Sequence, residues 1–437
     1  MIDERLKGLL AETKGVSDWR LVERRIEGQE LFFVGRELDM QRSKSVRHLA
    51  LTVYHDFAEG GKSFRGAVRI SLHPEASEAE LARWLGEAVF AAGQVRNEPF
   101  PLVELSEGPP AFPPSRFAER PLREWLAPLT EALFAPELTV QGGERINSAE
   151  LFLDRVETRI LNSRGVDVFF GGYEGYVELI VEARGPAGDV ELYKEIQFAD
   201  YDPEALSREV RSKLELVSDR AQAQPMPRLK NADVVLSGEP VREFLDYYLT
   251  QGAAESIYNN VSRFKVGDSL QGAKVRGDRL TIRAEPYLPG STASRPWDGD
   301  GFPLRSTPLM EDAILRRIWG PLRFCHYLGA PPTGALPNFV VDAGSRSLEA
   351  MRSAARLEVV AFSDFHSDPI TADFGGEVRL GYLIEGGARR PVTGGSISGN
   401  LRELHGEMYL SRELQQLNSF KGPQAVQLFG VSVTGVA

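Results

Sequence analysis

Six histidines and one cysteine hold most of the metal-binding and nucleophilic chemistry open to this 437-residue chain. The histidines are His48, His55, His73, His326, His366 and His405, spread so that none is close in sequence to another. A helix-borne zinc site of the H-E-x-x-H kind needs a histidine followed by glutamate, and the chain has no His-Glu dipeptide. Cys325 stands alone, which excludes an intrachain disulfide and a four-cysteine zinc site. The densest group is Asp364, His366, Asp368 and Asp373. Asp364 and His366 share a face if their strand continues, but a metal there needs a third ligand from elsewhere. Trp297-Asp-Gly-Asp-Gly301 lacks the terminal glutamate of a calcium loop, and a tight glycine turn with solvated carboxylates is expected. Gly395-Ser-Ile-Ser-Gly399 has Ile397 where a nucleophile elbow needs serine, so it reads as a glycine-bracketed turn. Cys325 and His326 fall on an expected strand, point to opposite faces and cannot act together; Cys325 reads as a small core hydrophobe. No phosphate-binding P-loop pattern occurs. The residues alone define no self-contained catalytic site.

The elements that would position these residues follow from periodicity. A helical start is expected over 1–26, with Leu6, Leu9 and Leu10 apolar, and strands over 30–72, where Leu49, Leu51 and Val53 alternate, as do Val68, Ile70 and Leu72. Ser77-x-x-Glu80 is a capping box that starts a helix carrying Leu81, Trp84, Leu85 and Ala88 on one face. Residues 97–121 contain Pro99, Pro101, Pro109, Pro110, Pro113, Pro114 and Pro121, so they form a long connection able to embrace another surface. A helix over 121–135 precedes a meander of strands at 149–156, 157–162, 166–171, 176–183 and 190–199, with turns at 162–165 and 185–188. A helix over 203–223 places Leu206, Val210, Leu214 and Val217 on one stripe. Further on, a helix over 240–259 has a face wide enough to be held inside a sheet, with Val241, Phe244, Leu245, Tyr248 and Leu249. Strands are expected at 278–285, 312–328, 356–363, 370–374, 378–385, 390–397 and 423–436. The fold class is α+β: an N-terminal domain over 1–225 with antiparallel strands and flanking helices, then a mostly antiparallel β domain over 226–437 wrapped around a central helix. No tandem repeat is evident.

Net charge is −11, from 51 basic and 62 acidic residues, which removes the whole-molecule field that attracts nucleic acid or anionic membrane. The opening Met1-Ile-Asp-Glu-Arg-Leu-Lys is broken by charge at once and is not a signal peptide. No run reaches the ~20 apolar residues of a membrane span. With a single cysteine, the expectation is a cytoplasmic protein.

The second half carries an ordered series of motifs. It runs from Gly252-Ala-Ala-Glu-Ser-Ile-Tyr-Asn-Asn-Val-Ser-Arg-Phe264 through Pro289-Gly-Ser-Thr-Ala-Ser-Arg-Pro-Trp-Asp-Gly-Asp-Gly301 and Leu309-Met-Glu-Asp-Ala-Ile-Leu315. Leu328-Gly-Ala-Pro-Pro-Thr-Gly334 follows, then Phe374-Gly-Gly-Glu-Val-Arg-Leu-Gly-Tyr-Leu-Ile-Glu-Gly-Gly387 and Pro391-Val-Thr-Gly-Gly-Ser-Ile-Ser-Gly-Asn-Leu401. This series resembles the TldD/PmbA family, also described as modulators of DNA gyrase, over about 145–437. The family pairs two related subunits. The TldD-like subunit carries H-E-x-x-x-H on the central helix and a cysteine near the C-terminus, which together hold zinc; the TldE/PmbA-like subunit lacks them. The matching positions here are Leu245-Asp-Tyr-Tyr-Leu-Thr250, and no cysteine follows Cys325. The resemblance therefore implies a TldE/PmbA-like chain with no catalytic or metal residues and no cofactor of its own, zinc belonging to a partner subunit.

The resemblance further implies a heterodimer, with a TldD-like metallopeptidase as partner, enclosing a chamber where peptides or unstructured segments are cut. An extended peptide could add to exposed strand edges there. Ser262, Arg295, Asp298, Gly399 and Asn400, from the most specific motifs, are the candidate substrate or partner contacts. No contact with nucleic acid or membrane is expected. Two other readings stand beside this one. The first is a homodimeric peptide-binding scaffold; the second is an independent hydrolase centred on Asp364, His366 and Asp373. Whether the chain is itself an enzyme stays open at this point, and the sequence does not name a peptide substrate.

Overall fold

Alternating apolar residues build long strands in the first half. In the computed structural model, which describes residues 2–104, 108, 109, 111–186 and 188–436 (without the side chains of Ile2 and Asp3), α1 (Ile2–Glu12) leads into β1 (Asp18–Val34), β2 (Glu37–Glu59) and β3 (Lys62–Leu72), then α2 (Glu78–Ala92). After the proline-rich segment, α3 (Leu126–Phe134) leads into β4 (Arg145–Asn162), β5 (Asp167–Gly185) and β6 (Gly188–Phe198), then α4 (Pro203–Ala221). The six strands form one antiparallel sheet ordered β3-β2-β1-β4-β5-β6. The helix, three strands, helix order thus occurs twice, and β1 meets β4 antiparallel at the middle. Leu49, Leu51 and Val53 are buried against Leu6, Leu10, Leu81 and Leu85. Leu151, Val177 and Leu179 are buried against Leu206, Val210, Leu214 and Val217 of α4. The capping box at Ser77 and Glu80 is formed as expected.

Three sequence expectations change here. The first helix stops at Glu12, because residues from Asp18 onward pair with β2 on one side and β4 on the other, and two ladders outweigh a weak helical pattern. Residues 149–162 are one strand, and so are 167–185. Gly175 stays inside β5 because the Phe198 ring lies where its Cβ would be, a close approach only glycine allows. Pro110 and Ala187, assigned from sequence to the proline-rich segment and to a turn, lie outside the described residues.

The second half comprises β7 (Gln224–Pro225), β8 (Leu229–Ser237), α5 (Glu239–Gly252), α6 (Ala254–Tyr258), β9 (Ile282–Glu285), β10 (Thr307–Glu311) and β11 (Ile314–Leu315). It continues with α7 (Leu322–Tyr327), β12 (Asn338–Val341), α8 (Leu348–Ala354), β13 (Leu357–Ser367), β14 (Asp373–Glu385), β15 (Ala388–Thr393) and β16 (Ser396–Asn400). The last elements are α9 (Leu401–Leu404), β17 (Tyr409–Leu410), β18 (Leu414–Leu417), β19 (Phe420–Pro423) and β20 (Ala425–Thr434). The order β13-β8-β20-β16-β14, with β14 also pairing β13, closes these strands into a ring. Only the β13–β8 pairing in that ring is parallel. α5 fills the ring: Val241, Phe244, Leu245 and Tyr248 join Val234, Leu236, Val359, Val378 and Leu428 in one core. The wide apolar face read from the sequence is therefore a helix inside a β wall. A second sheet, β11-β10-β9-β12-β19-β18, flanks it.

Further expectations are corrected. Residues 312–328 hold β11 and then a helix, α7, so Cys325 and His326 are helical; Pro321, at the N-cap, starts a new element after Gly320 at φ +149°. The turn expected at 395–399 is a strand, β16; the turn precedes it, at Gly394 and Gly395, both with φ above +70°. The 240–259 helix breaks at Ala253, which turns extended while Ala254 N–H donates to the Trp319 carbonyl at 2.7 Å. The 370–374 strand proves to be the start of β14, which follows a turn anchored by Asp368.

The proline-rich segment straps the two halves together. Tyr327 Oη donates to the Glu98 carbonyl at 2.7 Å and Arg323 Nη2 to Asn97 Oδ1 at 2.7 Å. Farther along, the Phe112 ring lies 4.9 Å from Tyr287, and Ser115 Oγ donates to the Ala199 carbonyl at 2.8 Å. The surface it embraces is the chain's own, in the second half at Arg323, Tyr327 and Tyr287 and in the first at Ala199.

Candidate functional site

Strand order leaves two edges open on one cleft. β6 ends its sheet, and its outer edge carries no strand among the described residues. β13 pairs β8 only through Val359, so beyond that residue it has β14 on one side alone. Between these edges stands the start of α5, after Gly238 at φ +76° and with Pro240 in the first turn. A cavity of about 660 Å³ lies along β6, the start of α4 and the start of α5. A second, of about 770 Å³, lies between β6, α4, residues 360–365 of β13 and Arg379. Both are lined by Tyr193, Glu239 and Glu243, so they form one groove along β6.

A charge cluster sits at the junction. Lys194 of β6 is buried, and its Nζ lies 2.7 Å from Glu239 and 2.8 Å from Glu209. Burial alone would lower the Lys194 ammonium, but the two carboxylates more than offset it and hold it above the usual lysine range. Lys213 of α4 is also buried, with Glu239 4.0 Å away, and burial holds it below that range. Glu243, which lines both cavities, and Asp246, three residues further along α5, are raised by burial; for Glu243 the neighbouring Glu239 and Asp246 add to the effect. The groove thus combines unpaired strand edge with graded charge, an arrangement able to hold an extended chain through its backbone.

The five residues singled out from motifs lie elsewhere, in three places. Asp298 is buried, contrary to the solvated turn expected, because Oδ1 accepts from the N–H groups of Asp300 (2.8 Å) and Phe302 (2.9 Å) and Oδ2 from Ala335 (3.1 Å). Burial raises its carboxyl, and those backbone donors offset part of the effect. Its neighbour Asp300 pairs with Arg20 of β1, tying the loop to the first sheet. Arg295 donates from Nη2 to the Ala335 carbonyl at 3.3 Å, and with Asp298 it lines a third cavity, of about 970 Å³, under the proline-rich strap. Ser262 is buried and donates to the Gln251 carbonyl at 2.8 Å, holding the turn after α6. Gly399 lies against the Phe374 ring, and Asn400 caps α9, its Oδ1 accepting from Arg402 N–H at 3.0 Å. Ser262 and Asn400 stand next to residues of one further cavity, of about 550 Å³, lined by Gln251, Phe264 and Arg402.

The acidic group around His366 also resolves. β13 does continue, and Asp364 and His366 are both exposed on it. Asp368 Oδ1 accepts from the N–H groups of Ile370 and Thr371, and Asp373 Oδ1 from Asn400 Nδ2 at 2.8 Å, so both carboxylates fix turns. Among the described residues no three His, Cys, Asp or Glu side chains are grouped to hold a metal ion. No helix among them is long and apolar enough to cross a membrane.

A two-lobed α+β protein results, with an antiparallel sheet backed by helices in one lobe and a strand ring around a helix in the other. Residues 229–435 match the PmbA/TldA metallopeptidase C-terminal domain, so the second lobe is a domain of the TldD/PmbA family. Its fold is similar to TldE from Thermococcus kodakarensis, with a TM-score of 0.79, 16% identity and coverage of 99% of this chain and 100% of that one. It is also similar to a protein of Thermotoga maritima described as a modulator of a DNA gyrase (TM-score 0.77, 17% identity, 99% and 100% covered). A Bacteroides thetaiotaomicron protein of like description matches too (TM-score 0.79, 16% identity, 99% of each chain). An uncharacterized protein of Methanocaldococcus jannaschii is 25% identical over 291 residues, 61% of this chain; the match spans 65% of that relative, just under two thirds of it.

Metallopeptidase chemistry calls for a metal, and the central helix is where this family's motif would fall. Leu245 is 1% exposed in the ring core, and Tyr247 and Tyr248 are buried beside it. The Tyr248 ring lies 6.3 Å from that of buried His405. Neither buried tyrosine hydroxyl has a partner among the described residues. Leu245 and Thr250 stand where the two histidines would be and Asp246 where the glutamate would be, and no three His, Cys, Asp or Glu side chains are grouped there among the described residues, so the residues present do not fit the ion.

Proposed function

We propose that this chain is the metal-free, TldE/PmbA-like subunit of a two-subunit zinc metallopeptidase. A TldD-like partner supplies the zinc and the general base, and this chain supplies part of the wall that holds peptide or unstructured protein in the cytoplasm. The observation that carries the reading is α5: the first position of the zinc motif is Leu245, packed in the apolar core, the other two are Asp246 and Thr250, and the start of the same helix faces a groove with an open strand edge. An edge of this kind binds an extended segment through main-chain hydrogen bonds, which suits peptides of varied sequence. The family relationship and the fold shared with a TldE support the assignment. The test is reconstitution with a partner carrying H-E-x-x-x-H. Peptide cleavage is expected only in the mixture, with zinc in the partner and loss of activity on chelation. Stoichiometric zinc and peptidase activity in this chain alone would refute the proposal.

A further inference from the structure

The α4 side of the groove carries cations that have no close carboxylate partner of their own among the described residues. Lys213 is 6% exposed and lines the 770 Å³ cavity. It makes no hydrogen bond among the described residues, and its nearest carboxylate oxygen, on Glu239, is 4.0 Å away. That carboxylate is already held by Lys194 at 2.7 Å. Arg220 and Arg379 line the same cavity, and among the described residues neither has a carboxylate within ion-pair distance. Arg220 instead donates to the Glu191 backbone carbonyl on the free edge of β6, while the Glu191 carboxylate accepts from Asn147 at 3.0 Å. Both guanidiniums line this one cavity, and burial, then the like charge of Arg379, hold Arg220 below the usual arginine range. Of the acids lining the cavity, Asp189 lies 3.8 Å from Arg184 and Glu191 is held by Asn147, while Glu239, Glu243 and Asp364 cluster around the start of α5, where Glu239 and Asp364 both raise Glu243.

A buried ammonium with no hydrogen-bond partner is costly, and an anion that reaches it beside the Arg220 and Arg379 guanidiniums offsets that cost. Guanidinium groups match a carboxylate with paired N–H donors. We propose that this cavity is a carboxylate subsite, taking the terminal carboxylate of an extended peptide laid along the β6 edge. This rests on the peptide-holding reading given above and adds polarity to it: the chain end lies at Arg220, Arg379 and Lys213, and the preceding residues run past Tyr193 toward the other cavity. A side-chain carboxylate has the same chemistry, so the experiment separates the two sources.

The experiment uses the whole chain and three fluorescein-labelled peptides of one Gly/Ser/Val sequence, read by anisotropy. One ends in a free carboxylate, one in an amide, and one in an amide with an internal glutamate. The expected order is free carboxylate tightest, by about tenfold over the plain amide, since charge-assisted hydrogen bonds to a carboxylate are worth that much or more. Arg379→Gln, on an exposed side chain, and Lys213→Met, nearly isosteric in a buried site, are each expected to bring the ratio of acid to amide binding close to one. Equal binding of the acid and the plain amide overturns the subsite and leaves the peptide-holding reading standing. Tightest binding by the internal-glutamate peptide overturns the terminal assignment. Absence of binding by all three overturns both.

Discussion

Rewriting the central helix as a zinc helix tests whether its interior is committed to packing. The perturbation is Leu245→His, Asp246→Glu and Thr250→His together. Leu245 is 1% exposed, within the core shared by α5 and the strand ring. Removing its buried hydrocarbon costs about 2 kcal/mol. Burying an imidazole whose nitrogens find no partner adds about 1–3 kcal/mol. The glutamate keeps the carboxylate of Asp246 and changes little, and the half-buried Thr250 has more room. The expected loss is therefore about 3–5 kcal/mol, a large fraction of a domain's stability. A true site would return free energy through linkage, about 2.7 kcal/mol at zinc a hundredfold above Kd. Urea unfolding followed by circular dichroism, with and without zinc, reads both numbers, and metal analysis gives the stoichiometry. A midpoint that falls and ignores zinc is expected, with no stoichiometric metal bound. A midpoint restored by zinc, with one ion per chain, would refute the claim that this interior cannot accept the metal.

Burial, with a smaller contribution from Arg402, pushes the His405 imidazole down to about 4. Its unfolded value is about 6.5, so between those values the unfolded chain binds the proton, and stability falls as pH drops, by about 2–3 kcal/mol at pH 4.5. Wild type should therefore lose more stability than His405→Phe between pH 7 and 4.5; parallel losses would refute the buried neutral ring. Glu358 is fully buried and accepts from Ser237 Oγ at 2.7 Å, Arg352 Nη2 at 2.9 Å and Arg389 Nη2 at 2.8 Å. Both arginines are more than a third exposed, so Glu358→Gln should cost about 2 kcal/mol rather than the 3–5 of a fully buried pair, read as a drop in the thermal midpoint. Ser77→Ala removes the cap of α2 and should cost about 1 kcal/mol, while Ser77→Asp should be close to neutral by the same measurement.

Elements whose signal is local were legible in the sequence. The capping box at Ser77 and Glu80, the stripe Leu206, Val210, Leu214 and Val217, and the wide face of α5 each encode burial within a few turns of helix. What escaped was decided by distant chain. Asp298 is buried because Ala335, 37 positions on, brings it a third backbone donor. The groove escaped because nothing local tells β6 from β5: both alternate, and only the order of the finished sheet leaves β6 at the edge. Lys213 did leave a trace. It sits between Val210 and Leu214 on the apolar side of α4, where a charge signals either a buried partner or a ligand.

Polar contacts near the groove join the two lobes. On one side Lys194 of β6 holds Glu239 of α5, joining the first sheet to the central helix. On the other, Tyr382 of β14 donates to Asp219 of α4 at 2.5 Å. The Tyr382 ring lies 3.4 Å from the guanidinium carbon of Arg389, whose charge is anchored by Glu358. The two lobes are thus fastened at both walls, and the proline-rich strap fastens them again near α7. A cleft fastened in this way loses little conformational freedom when a chain enters it, so more of the main-chain hydrogen bonding along β6 is retained as affinity. The same fastening makes the α5 start a coupling point. A group that competes with Lys194 for Glu239 also acts on the helix whose interior fills the strand ring.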